Sequence, residues 1–62
     1  MNEEKRYAVA HDQGRAARRS GKPRSANPYT GHTKLVRDLH EQHDLGWIAQ
    51  DAENRAARQR AG

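Results

Sequence analysis

The chain has 62 residues, a formal net charge of +4 and no cysteine. This length predicts a single small domain over residues 1–62, and the lack of cysteine excludes disulfides and thiolate zinc sites. Only six residues are Leu, Ile or Val and none is Phe, so stability must come from helix packing, self-association or a large partner. A mean hydropathy of -1.37 leaves partial disorder as an alternative. The basic surplus favours a polyanionic partner.

The first predicted element is a helix over residues 3–20. Asn2 is the expected N-cap, and acidic residues in the first turn suit the positive end of the helix dipole. Gly21 is a natural residue to end the helix, and Pro23 prevents its continuation. Small residues recur along one side of this helix, and a neighbouring helix could approach them closely. Gly14 costs about 1 kcal/mol relative to Ala in a helix interior, so a packing partner is expected against it.

A basic elbow is predicted next, over residues 22–32, where Pro, Gly, Ser and Asn prevent regular structure. It lies inside a longer stretch, between Gln13 and Asp38, that holds seven Lys or Arg residues and no acid. Asn27, Pro28 and Tyr29 form a turn in the middle of this stretch. The expected architecture is therefore all-α, with two helices joined by a basic elbow.

The second helix is predicted over about residues 32–58, followed by a frayed tail over 58–62. Its apolar residues change phase. The helix therefore either bends or breaks near 44–46, or presents two faces, one towards the first helix and one towards a second copy or a partner. The alternative is that the Ala-rich end is exposed and only weakly packed. The apolar positions fall into two groups on nearly opposite sides of the helix. One group comprises Leu35, Val36, Leu39, His43, Gly46 and Trp47, and the other comprises Leu45, Ile48, Ala49, Ala52 and Ala56.

The order of these motifs resembles the ribosome modulation factor family, including its plasmid and phage relatives. The matching residues lie within 10–52: a Gly-containing helix, the Pro28-Tyr29 pair and a helix with Leu-Gly-Trp at 45–47. Asn27 stands where the family typically has Cys, and His43 stands where it often has a first Trp. The resemblance implies a basic two-helix protein that binds ribosomal RNA and ribosomal proteins and suppresses translation. Some relatives are described as antibiotic-modifying enzymes.

The basic residues are the expected phosphate contacts, since they are segregated from the acids in the sequence. Tyr29 is a further candidate, by stacking on an unpaired base. The alternative is a solvated basic face, with Tyr29 packed as a corner residue, and for Tyr29 and Trp47 packing is the favoured interpretation. The candidate nucleic-acid contacts are Arg15, Arg18, Arg19, Lys22, Arg24, Tyr29, Lys34 and Arg37.

No metal site, cofactor or catalytic residue is expected. His40 and His43 are three residues apart and could chelate, with His32 or Asp44 as further ligands, but a complete site needs four ligands. His43 lies on the apolar face, where packing is the better interpretation. The Ser20-Gly21-Lys22-Pro23 segment lacks the glycines of a phosphate-binding loop. Two helices also offer little concavity for a substrate. Enzymatic activity therefore remains only a remote alternative.

The sequence thus predicts a ribosome-associated protein that binds ribosomal RNA, and possible partners include ribosomal proteins and a second copy of the chain. A cytoplasmic location is expected, because residues 1–5 lack an apolar signal core and no run reaches transmembrane length. The alternative is a protein interaction module or a self-associating helical dimer without RNA binding. In that case the acidic residues within 38–53 pair with the basic elbow of another copy or with a basic protein.

Overall fold

The computed structural model describes residues 3–61, and within them the chain is all α. Helix α1 spans Glu3–Arg19, a short 3-10 turn spans Arg24–Ala26, and helix α2 spans Lys34–Ala61. The predicted two-helix fold is confirmed. Helix α2 ends later than predicted: residues 58–61 of the expected frayed tail are helical, and residue 62 lies outside the described part, as does the predicted N-cap Asn2.

Both described helix boundaries at the connection have clear local causes. At the end of α1, Gly21 has a φ of 78°, a left-handed conformation that favours glycine. The N–H of Gly21 donates to the carbonyl of Arg18 at 3.0 Å, and the N–H of Lys22 donates to that of Ala17 at 2.9 Å. These two bonds form a Schellman motif. At the start of α2, the Thr33 hydroxyl accepts the N–H of the third helical residue at 3.2 Å and acts as the N-cap.

Helix α2 is continuous through residues 44–46. The sequence allowed either a bend or break at this point or a helix with two apolar faces. The 28 residues of α2 correspond to about 42 Å at a rise of 1.5 Å per residue, close to the 43 Å longest dimension of the molecule. The apolar residues on either side of this point therefore lie on two faces of one helix. Leu39, His43 and Gly46 are buried, whereas Leu45 and Ile48 are 44% and 41% exposed.

The two helices run in the same direction. The Tyr7 hydroxyl donates to Asp38 at 3.4 Å, and Arg18 donates to Asp51 at 2.9 Å. A residue early in α1 thus contacts one early in α2, and a residue late in α1 contacts one late in α2. In an antiparallel pair a residue early in α1 would contact one late in α2. A parallel pair needs a connection that returns along the full length of the first helix, and residues 20–33 supply it.

The returning connection is fastened to α2 at successive points. The Trp47 indole N–H donates to the carbonyl of Lys22 at 2.8 Å, and the Asn27 amide donates to the carbonyl of His40 at 2.9 Å. Asn27 also accepts the N–H of Tyr29 at 3.0 Å, which is an Asx turn. Because Asn27 is buried, its two bonds hold the middle of the connection against the helix.

At two glycines, α1 and α2 approach each other closely. A Cβ placed on Gly14 would lie 2.8 Å from the carbonyl carbon of His43 and 2.9 Å from the backbone N of Trp47. A Cβ placed on Gly46 would lie 2.8 Å from the carbonyl carbon of His11. Each glycine thus faces the backbone of the other helix. The expectation that a helix packs directly against Gly14 is confirmed.

The core around this crossing is small and partly polar. Among the described residues the buried hydrophobic ones are Ala10 and Leu39, and the buried polar ones are Asn27, His43 and Gln50. Such a core supplies little apolar burial. The fold therefore depends on the close backbone approach and on polar contacts between the helices.

We expect Gly14→Ala and Gly46→Ala each to destabilise the fold. Alanine favours an isolated helix by about 1 kcal/mol, but here its methyl group would meet backbone atoms that cannot rotate away. Overpacking of this kind costs about 1–3 kcal/mol, so the helix preference is offset and the helices must separate. Chemical denaturation followed by circular dichroism measures the effect.

The matched control is Asp12→Ala, at an exposed position of the same helix, where a change of no more than about 0.5 kcal/mol is expected. If Gly14→Ala and Gly46→Ala were as stable as the original chain, the close crossing would be wrong.

Candidate nucleic-acid interface

Acidic side chains of α2 neutralise much of the predicted basic stretch within the same chain. Residues 38–53 contain five acids, and four of them form ion pairs. The exception is Glu41, for which no ion pair is found among the described residues. The pairs are Arg15–Glu53 at 2.7 Å, Arg18–Asp51 at 2.9 Å, Arg24–Asp44 at 2.5 Å, Lys34–Asp38 at 2.8 Å and Arg55–Asp51 at 3.0 Å.

These ion pairs lower the pKa of the acids that take part in them. Hydrogen bonding from Arg24 lowers the pKa of Asp44, and hydrogen bonding from Arg18 lowers the pKa of Asp51. Arg15 acts in the same way on the pKa of Glu53. All three carboxyl groups are therefore charged at neutral pH. Half of the predicted phosphate contacts thus carry a compensating charge beside them.

The remaining positive charge is concentrated at one end of the molecule. Beyond the glycine crossing, residues 15–22 and 47–61 hold seven Lys or Arg residues and two acids. Residues 3–14 and 23–46 hold five Lys or Arg residues and six acids. The surplus of five charges therefore lies where the C-terminal part of α1 meets the C-terminal part of α2. We call this region the basic end.

A shallow concave site lies within the basic end. Its volume is about 450 Å³, and it is lined by Arg18, Asp51, Arg55, Arg58 and Gln59. The Arg18 guanidinium is 5.4 Å from the centre of the Trp47 ring, close enough for a cation–π contact. Three guanidinium groups thus surround one carboxylate. This arrangement suits a phosphate group, which guanidinium binds through paired hydrogen bonds.

The structure separates the eight residues predicted from the sequence. Four of them, Arg15, Arg18, Arg19 and Lys22, lie at the basic end. Lys34 and Arg37 lie in the first turn of α2; Lys34 is 17 residues from Asp51, or about 25 Å along the helix. Arg24 is bound to Asp44 by two hydrogen bonds of 2.6 and 2.5 Å, and Tyr29 lies in the connection.

Two arginines of the concave site, Arg55 and Arg58, were absent from the sequence prediction. They are far from Arg18 in the sequence, and only the parallel direction of the helices brings them beside it. A partial signal was available. Asp51, Arg55 and Arg58 are spaced by four and three residues, which places them on one side of a helix.

Tyr29 has a packing role in this structure. Its hydroxyl donates to Gln13 at 2.5 Å, and its ring meets the His43 ring edge-on with centroids 6.1 Å apart. Its carbonyl is 2.9 Å from a ring nitrogen of His40. Tyr29 is half-buried. These contacts match the interpretation of Tyr29 as a corner residue, which the sequence already favoured over base stacking.

His43 is buried, as its place on the apolar face indicated. It is 3% exposed, and its Nδ1 has no hydrogen-bond partner. Burial lowers the pKa of His43 below its ordinary value of 6.5, against a smaller raising effect of Asp44. Within residues 3–61 no three His, Asp or Glu side chains form a group suited to a metal ion.

We expect His43 to make the fold less stable in mild acid. Below pH 6.5 the unfolded chain binds a proton at His43, whereas the folded chain does not until its lower pKa is reached. The free energy of unfolding should therefore fall as the pH falls below 6.5 and stop changing below the folded-state pKa. Denaturant titrations from about pH 7 to about pH 5 measure this change.

His43→Leu should remove that part of the pH dependence, because leucine fills the buried position and binds no proton in the folded or the unfolded chain. The control is His32→Gln, at an exposed position of the connection, which should keep it. An unchanged slope in His43→Leu would contradict the assignment.

Comparison of the chain with protein-family models, curated proteins and solved structures finds no match. Over the residues that the structure describes, neither helix is long and apolar enough to cross a membrane.

Proposed function

We propose that this protein is a small cytoplasmic RNA-binding protein that associates with ribosomal RNA and modulates translation. The observation that carries the proposal is the basic end, where the surplus of five charges and three converging guanidinium groups meet. Phosphate groups are the ligands that such a surface attracts most strongly. Its exposed cations include Arg19, Lys22 and Arg58.

The ion pairs of the basic end are compatible with RNA binding. Glu53 is 59% exposed in its side chain, and exposed ion pairs contribute little, typically about 0–1 kcal/mol. A phosphate can therefore replace a carboxylate as the partner of an arginine at small cost. Asp51 is less exposed and holds both Arg18 and Arg55, so it orients their side chains towards the concave site.

The ribosomal target is supported by the resemblance to the ribosome modulation factor family. Residues behind that resemblance have structural roles here: Gly14 and Gly46 form the helix crossing, and Trp47 holds the beginning of the connection. They maintain a two-helix fold that presents the basic end. Binding to ribosomal RNA then comes from the charged residues around them.

We expect the triple variant Arg19→Ala, Lys22→Ala and Arg58→Ala to bind RNA at least about tenfold more weakly at low salt. Each lost phosphate contact lowers the slope of log affinity against log salt by about 0.7–0.9, so the slope should fall by about 2. Fluorescence anisotropy with a labelled fragment of ribosomal RNA, repeated over a salt series, measures both quantities.

The matched control is Lys5→Ala, Arg6→Ala and Arg37→Ala, outside the basic end. Both triple variants lower the formal net charge from +4 to +1, so a simple effect of net charge would weaken both equally. Equal loss in the two variants, or no RNA binding by the original chain, would overturn the proposed interface.

We also expect the tagged chain to co-migrate with ribosomes or ribosomal subunits in sucrose gradients at low salt and to be released at high salt. The variant of the basic end should migrate free, and the control variant should remain bound. If the chain binds isolated RNA but never co-migrates with ribosomes, the ribosomal target is wrong and the phosphate-binding surface stands.

A further inference from the structure

An apolar stripe on α2 faces away from α1 and has no partner in the described chain. Ile48 lies two residues after the buried Gly46, on nearly the opposite side of the helix. Leu45 and Ile48 are 44% and 41% exposed, and Ala52 is exposed as well. We call this surface the outer stripe. It comprises Leu45, Ile48, Ala49, Ala52 and Ala56, of which Ala49 and Ala56 are half-buried.

We propose that the outer stripe binds a second copy of this chain, with the two α2 helices antiparallel. The twofold axis passes near Ile48, so each Ile48 meets its counterpart and each Leu45 lies near Ala52 of the partner subunit. The result is a four-helix arrangement with the α2 pair inside and the α1 helices outside. The outer stripe does not line the concave site of the basic end, although Arg55 borders both surfaces. The proposal does not depend on RNA binding.

Charge complementarity favours this partner and this direction. Glu41 lies seven residues before Ile48, and Arg55 lies seven residues after it, so each is about two helical turns from the axis. In the antiparallel pair, Glu41 meets Arg55 of the partner subunit on the same flank. Glu41 is exposed and takes no part in the ion pairs found within residues 3–61. The Arg55 side chain contacts Asp51 and is still 72% exposed.

A parallel pair would be opposed by the same charges. Glu41 would meet Glu41 of the partner subunit, and the two basic ends, each with a surplus of five charges, would lie side by side. The antiparallel pair places the basic ends at opposite ends of the assembly. Like charges are then kept apart over distances larger than the screening length of about 8 Å at physiological salt.

The surface area agrees with a second copy as the occupant. The chain exposes 4590 Å², whereas a compact monomer of its 7.0 kDa exposes about 4,000 Å². Covering that excess in both subunits would bury about 1,200 Å² in total, the lower end of specific interfaces. The dimer is therefore expected to be weak and reversible.

Sedimentation equilibrium of the full chain from about 10 μM to about 1 mM tests the proposal. The apparent mass should rise from that of a monomer towards that of a dimer. Ile48→Lys should weaken association at least about tenfold, because two ammonium groups would meet at the axis in place of apolar contact. A mass that stays monomeric at every concentration would overturn the proposal.

Two comparisons make the test specific to this surface. The control Val9→Lys replaces an apolar residue of similar exposure, 52%, on α1, and it should leave the dimer unchanged. Glu41→Lys alone should weaken the dimer, and adding Arg55→Glu should restore it at least in part. Equal weakening by Val9→Lys would reject the outer stripe, and failure of the charge exchange would reject the antiparallel pairing. Circular dichroism checks that each variant remains helical.

Discussion

The close approach of two backbones at Gly14 and Gly46 is the constraint on which the rest of the structure depends. The chain has too few large apolar residues for a conventional core, and the helices compensate by approaching until each glycine meets backbone atoms of the other. At this separation, short-range dispersion between main chains replaces much of the missing side-chain packing. It also brings Arg15 within reach of Glu53, and Arg18 within reach of Asp51.

The parallel direction of the helices has a second consequence. It requires the connection to return along α2, and a returning segment in so small a protein must be held by polar contacts. Asn27 and Trp47 provide them through side-chain bonds to the backbone. The same direction places the C-terminal parts of both helices side by side. The positive charges of Arg18, Arg55 and Arg58 thereby come together, although the sequence separates them widely.

Charge in this protein therefore has two roles. Most acids of α2 are matched with basic residues of α1 or the connection, and these pairs help to hold the fold together. The cations that exceed them collect at the basic end, the surface proposed to bind RNA phosphate. On the side of α2 that faces away from α1, the proposed dimer uses Glu41 and Arg55 around an apolar centre, and Arg55 also lines the concave site of the basic end. One long helix thus presents an inner face to α1 and an outer face for the proposed dimer, and its C-terminal part contributes to the basic end.

The sequence by itself determined the two helices and the residue that ends the first. These features depend on local chemistry, since Gly21 adopts the left-handed conformation that ends α1. The structure identified the cap of α2, which is the hydroxyl of Thr33. The sequence also identified the small-residue stripe and the buried position of His43, because helical periodicity reveals faces. Only the tertiary structure decided the direction of α2 relative to α1, and with it the partner of each charge. Ion pairs between residues more than thirty positions apart, such as Arg18–Asp51, depend on that direction, which local patterns do not encode.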